Sequence, residues 1–165
     1  MTPGSPSPAG DLARRVFQFE ADFAGDLRCL PMAVRRKLDL AGVKLKLTQW
    51  NGLTPEERQR LLAWPDDEGA LSHLRQWLLE RSRSLPQGPA TPLPPAVATE
   101  WQRADAWPAS VAASCQELGL VVRSEGWSAL DELQRFALVK LSHPGHEHRN
   151  LPRALEEFAL LAPQP

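Results

Sequence analysis

Apolar positions recur at helical spacing through most of the chain, broken by two short stretches of strand-like alternation. Pro31 opens the first clear run, with Val34, Leu38 and Ala41 inward, and Gly42 stands where a left-handed residue closes a helix. Val43-Lys44-Leu45-Lys46-Leu47 then alternates apolar and basic residues, the period of a half-buried strand. Thr54-Pro55-Glu56-Glu57 joins a capping box to a proline at the first helical position, and predicts a helix to Trp64 that Pro65 stops. Another helix is expected from Asp67 to Ser82, with Leu71, Leu74 and Leu78 on one face. Leu85 to Pro95 carries Pro86, Pro89, Pro92, Pro94 and Pro95 and reads as a semi-rigid linker.

Beyond the linker the pattern starts again. Pro108 opens a helix with Val111, Cys115 and Leu118 inward, Gly119 ends it, and Leu120 to Arg123 is a second short extended piece. Ser128 is a candidate cap for a helix from Ala129 to Leu141 whose inward set is Leu130, Leu133, Ala137 and Leu141. Ser142 to Arg149 reads as a turn, and Asn150 with Pro152 begins a last helix through Leu155 and Phe158 to Leu160. Laid over one another without a gap, residues 31–82 and 108–159 repeat a skeleton 77 positions apart. Pro31 meets Pro108, Gly42 meets Gly119, Trp50 meets Trp127, Arg58 meets Arg135 and Leu61 meets Leu138. The expected fold is mainly α: a single compact helical domain over residues 16–165, built from two similar halves sharing one core. Residues 1–15 form a disordered tail and 85–99 the connection. One short ribbon, Val43–Leu47 against Leu120–Arg123, is the expected β detail; a helix-only body is the alternative.

Composition narrows the function classes. At 165 residues the chain suits one domain, and a net charge of −1 argues against a general nucleic-acid binder. No apolar run is long enough to span a bilayer, and the Pro/Ser/Gly-rich start is no secretory signal, so a cytoplasmic protein is expected. Cys29 and Cys115 lie on apolar stretches and read as buried free thiols.

Two constellations carry candidate chemistry. His143, His146 and His148, with Glu147, put three imidazoles on one turn, a set that suits a borderline metal such as zinc. Its spacing matches no standard structural site, and a solvated helix connection has the same composition. The second is basic: Arg28, Arg35, Arg36, Lys37, Lys44 and Lys46, a positive surface for an acidic partner or a phosphate-bearing ligand. The second half has Ala112, Ala113, Val121 and only Arg123 at the matching places, so the patch is one-sided. Its bland reading is a solvated face balanced by Asp22, Asp26 and Asp39. Arg58 and Arg135 are read as struts pairing with a Glu or a helix-end carbonyl in the other half, Trp50 and Trp127 as core anchors, and His73 as a partly buried structural histidine. A Gly-rich phosphate loop, a G-x-S-x-G elbow and an H-E-x-x-H pair are all absent from the sequence.

Longer runs carry a resemblance. Phe17-Gln-Phe-Glu-Ala-Asp-Phe23, Leu27 to Asp39 and Gly42 to Asn51 resemble the N-terminal half of the nitrate reductase-associated proteins. Leu133 to Ser142, His146 to Asn150 and Ala154 to Phe158 resemble the C-terminal half. That family takes its name from genes lying near assimilatory nitrate reductase and molybdopterin biosynthesis, and it supplies no catalytic residues to carry over. The resemblance implies a genomic setting; with the missing catalytic motifs and the one-sided patch, it leads to the expectation of a non-catalytic accessory protein of a cytoplasmic molybdoenzyme or cofactor-synthesis protein, and no cofactor is expected. A metal-binding regulator or enzyme using the histidine turn, and a general helical interaction module that could pair as a homodimer, are the other readings.

Overall fold

The computed structural model describes residues 12–143 and 149–163. It is mainly helical, and the chain divides into two compact units, residues 1–97 and 98–165.

In the first unit a 3-10 turn (Gln18–Glu20) runs into α1 (Ala21–Ala24), followed by α2 (Met32–Ala41), β1 (Val43–Lys44), α3 (Leu47–Gly52), α4 (Pro55–Ala63), α5 (Glu68–Ser82) and β2 (Thr91–Pro92). Pro31 is the N-cap of α2 and offers no side-chain acceptor. The acceptor arrives from outside the helix. Buried Glu20 takes the Met32 N–H at 2.9 Å and the Phe17 N–H at 3.0 Å, placing a carboxylate at the positive end of the helix dipole. Gly42 ends α2 with φ +85°, and a Cβ there would fall 2.5 Å from the Leu93 carbonyl oxygen, so only glycine fits. Thr54 caps α4 through the expected box, its hydroxyl accepting from Glu57 N–H and Glu57 returning to Thr54 N–H. Leu27, Val34, Leu38, Trp50, Leu61, Leu74 and Leu78 form the core, ringed by half-buried Leu71, Trp64 and Trp77.

The second unit begins with a 3-10 turn (Glu100–Gln102) and continues through α6 (Ala109–Glu117), α7 (Gly126–Ala129), α8 (Glu132–Leu141) and α9 (Asn150–Glu157). Val111, Cys115, Trp127, Leu133, Phe136, Leu138, Leu151 and Leu155 are buried, and Trp101 meets the Phe136 ring edge-on at 5.1 Å.

Three expectations are corrected. The ribbon does not join residues 43–47 to 120–123. β1 pairs antiparallel with β2, Val43 opposite Pro92 and Lys44 opposite Thr91, while Val122 bridges Leu161. Each extended piece thus pairs with the segment that follows the last long helix of its own unit, a shorter loop to close. The alternation over residues 43–47 extends only to Lys44, because Gln49 accepts the Lys46 N–H at 2.7 Å and starts α3 at Leu47. Ser128 caps no long helix. Asp131 does, accepting from Gln134 N–H at 2.8 Å while Gln134 accepts the Asp131 N–H, and Leu130 turns extended between α7 and α8.

The proline-rich stretch is tied down. Gln49 Nε2 donates to the carbonyls of Gly88 and Pro89, Ala90 N–H donates to Ser82 Oγ, and Ala96 N–H donates to Asp39 O. It straps the first unit closed. No helix among the described residues is long and apolar enough to cross a membrane.

Candidate functional site

Burial concentrates ionisable side chains at one corner of the first unit. Lys37 follows Val34 by three residues, so on α2 it faces the same way as Val34, Leu38 and Ala41. It is fully buried, and its Nζ donates to the carbonyl oxygens of Leu61 (2.7 Å), Leu62 (2.7 Å) and Trp64 (2.9 Å) at the end of α4. Three acceptors match the three N–H bonds of an ammonium and cap a helix C-terminus with its favoured charge. Desolvation opposes that charge and pushes the pKa down to about 7, with Asp66 pulling upward and Arg36 and Arg14 pushing further down. Beside it, buried Arg36 pairs with Asp66 at 3.0 Å. An amine poised near neutrality is a familiar catalytic device, but this one is sealed from solvent and its donors are committed to backbone.

Two arginines act as clamps. Arg58 Nε and Nη2 reach Leu53 O, and its Nη1 reaches Leu27 O at 3.2 Å. Arg135 Nη1 reaches Leu130 O at 2.6 Å and its Nε reaches Trp101 O at 3.0 Å. Leu53 and Leu130 are the residues that end α3 and α7, so each guanidinium caps a short helix and ties it to the chain that precedes it. The indoles repeat the link: Trp50 Nε1 donates to Leu27 O at 2.7 Å and Trp127 Nε1 to Arg103 O at 2.9 Å. Leu27 presents its carbonyl to both donors from a left-handed backbone, φ +64°. The expected carbonyl partners are present, but each lies within the arginine's own unit.

The basic set is dispersed. Arg36 and Lys37 point inward, which contradicts their assignment to a surface face. Arg35 is half-buried and lies 3.9 Å from the Met32 sulfur. Arg28 is exposed, pairs with Asp26 at 2.8 Å and donates to Asp22 O; the Arg28 backbone N–H leads the interactions that hold the Asp26 carboxyl below its ordinary pKa. Lys44 on β1 and Lys46 before α3 remain solvent-facing. His143 is exposed, while His146 and His148 lie outside the described residues. Among the described residues no group of three or more His, Cys, Asp or Glu is placed to hold a metal ion. His73 is exposed rather than partly buried. Cys29 and Cys115 are free thiols, and burial raises the pKa of Cys115.

Sequence reasoning missed a third cluster. Arg60 on α4 lies over two indoles, 5.2 Å from the ring centre of Trp64 and 5.1 Å from that of Trp77 on α5. The signal was present in Arg60 on α4 and Trp64, the residue that ends that helix four positions later.

These features define a class: a small helical protein whose buried charges brace its own backbone. Its family is equally definite. The pattern of the conserved nitrate reductase-associated proteins matches residues 16–158, and the chain belongs to that family. No curated protein and no solved structure matches it.

Proposed function

We propose that the protein is a non-catalytic accessory of cytoplasmic nitrate reductase, assisting its maturation, the loading of its molybdenum cofactor, or its regulation. Membership of a family named for association with that enzyme supports the link. The observation that carries the non-catalytic part is where the buried ionisable groups spend their bonds. Lys37, Arg135 and half-buried Arg58 donate to main-chain carbonyls, Glu20 accepts from main-chain N–H groups, and Arg36 pairs with Asp66. Groups so engaged hold helices in place and offer no nucleophile or base to a substrate. Solvent-facing Lys44 and Lys46 remain for an acidic enzyme surface or the phosphate of a pterin.

The test is reconstitution. Purified protein added to cofactor-free nitrate reductase with a molybdenum-cofactor source is expected to raise the yield of active enzyme or to co-elute with it. Unchanged activation together with separate elution would rule the reading out.

A further inference from the structure

The Arg60 cluster sits at the solvent boundary of α4 and α5. Arg60 is exposed, Trp64 and Trp77 are half-buried, and the two rings lie 5.7 Å apart with a 36° tilt. The frame beneath is fixed. Trp64 Nε1 donates to Ala70 O at 2.7 Å, and Arg81 Nη2 on α5 donates to Glu57 on α4 at 3.0 Å. By contrast, among the described residues neither the Arg60 guanidinium nor Trp77 Nε1 makes a hydrogen bond. The equivalent positions 77 residues on are Ala137, Leu141 and Ala154, all completely buried in the second unit. The first unit therefore displays a cation on two indoles where the second closes over small aliphatic groups.

This arrangement is suited to recognition. A guanidinium held against aromatic faces has already given up side-chain freedom, so a partner that engages it costs less ordering. Its planar fork matches a carboxylate, and the indole surfaces beside it match an aliphatic group. Arg and Trp are also the residues most often found at the energetic centre of protein interfaces. Exposed Glu56, one turn before Arg60 on α4, opposes a run of acidic residues and favours a single carboxylate.

We propose that Arg60, Trp64 and Trp77 form the docking point for a partner-protein segment presenting one carboxylate beside an aliphatic side chain. For the identity of that partner, and only for that, this rests on the reading that the protein serves nitrate reductase. The test uses the full chain against purified nitrate reductase, comparing Kd for the unaltered protein, R60E, R60K and W77A, with the thermal midpoint of each variant measured alongside.

R60E is expected to weaken binding more than about tenfold, the loss of a charge-assisted contact turned repulsive. R60K should weaken it about threefold or more, because an ammonium keeps the charge but loses the fork. If W77A unfolds, R60K decides, since it leaves both rings in place. Equal affinity of R60E and the unaltered protein overturns the docking point and leaves the accessory role standing. No binding by the unaltered protein, together with unchanged activation in the reconstitution, overturns the accessory role instead. A second arm then decides the docking chemistry, with a Leu-Glu-Leu peptide titrated while the indole N–H resonances are followed. Saturable shifts at Trp64 and Trp77 that vanish in R60E support it. No shift, or the same shift with inorganic phosphate at equal ionic strength, overturns it.

Discussion

Lys37 and Ser114 stand 77 positions apart, both buried on the first long helix of their unit, and both hold the end of the helix whose arginine clamps the unit. Lys37 reaches three carbonyls at the end of α4. Ser114 reaches one, Ser142 O at 2.8 Å past the end of α8, and Ser142 Oγ takes Leu138 O for itself. The Arg36–Asp66 pair beside Lys37 has Ala113 and His143 in the matching places. One backbone problem, orphaned carbonyls at a helix C-terminus, is solved with a cation in one unit and with hydroxyls in the other. The clamps, by contrast, keep their chemistry: Arg58 and Arg135 both cap a short helix, and Trp50 and Trp127 both donate to the preceding arm. The likeness has a limit. α5 packs chiefly on α2, whereas α9 packs chiefly on α8, and the outer side of α4 and α5 is where the Arg60 cluster stands.

Breaking the cationic corner should have the largest effect. Lys37→Ala orphans three carbonyls, that of Leu61 buried and those of Leu62 and Trp64 partly so, and leaves a cavity, so a loss of about 3 kcal/mol in urea unfolding is expected. A loss no greater than that of Ser114→Ala would contradict the difference drawn between the corners. Next come the clamps: Arg135→Ala should cost about 2–3 kcal/mol and Arg58→Ala somewhat less, since Arg135 is the more buried. Equal tolerance of both substitutions, seen as unchanged thermal midpoints, would remove the clamps from the account.

The pH dependence sharpens the same comparison. The unfolded chain keeps the Lys37 proton up to about 10.5, whereas the folded protein gives it up near 7. Between those values the unfolded state binds more protons, so stability rises with pH, by at most about 1.4 kcal/mol per unit, and is flat below 7 as far as this group is concerned. Lys37→Met should abolish that rise, and a slope that persists in the variant would assign it elsewhere. The smallest expected effect is Ser114→Ala, about 1 kcal/mol for one buried hydrogen bond.

Much of the framework was legible because its signals are local. Pro31 and Pro108 start helices, Gly42 and Gly119 adopt positive φ, and Thr54 caps with Glu57, each read from a few adjacent residues. Short helices were less legible. Residues 47–52 and 126–129 are held by tertiary bonds from Trp50, Arg58, Trp127 and Arg135, whose carbonyl partners include residues more than twenty positions away. The inward turn of Lys37 could have been seen, because residues 34, 37, 38 and 41 share a helical face. Charge argued against it until three carbonyls supplied the reason. The Arg60 cluster needed α5 to bring Trp77 beside α4, a proximity that residue spacing alone does not specify.

Hydrogen exchange at the tryptophan indole N–H groups tests most directly whether the buried polar bonds are internal braces and the Arg60 cluster an open surface. Trp50 and Trp127, bonded to carbonyls inside their units and almost fully buried, should exchange slowest, and Trp77, half-exposed and without an acceptor among the described residues, fastest. Protection of Trp77 equal to that of Trp50, or exchange of Trp127 as rapid as that of Trp77, would contradict the account.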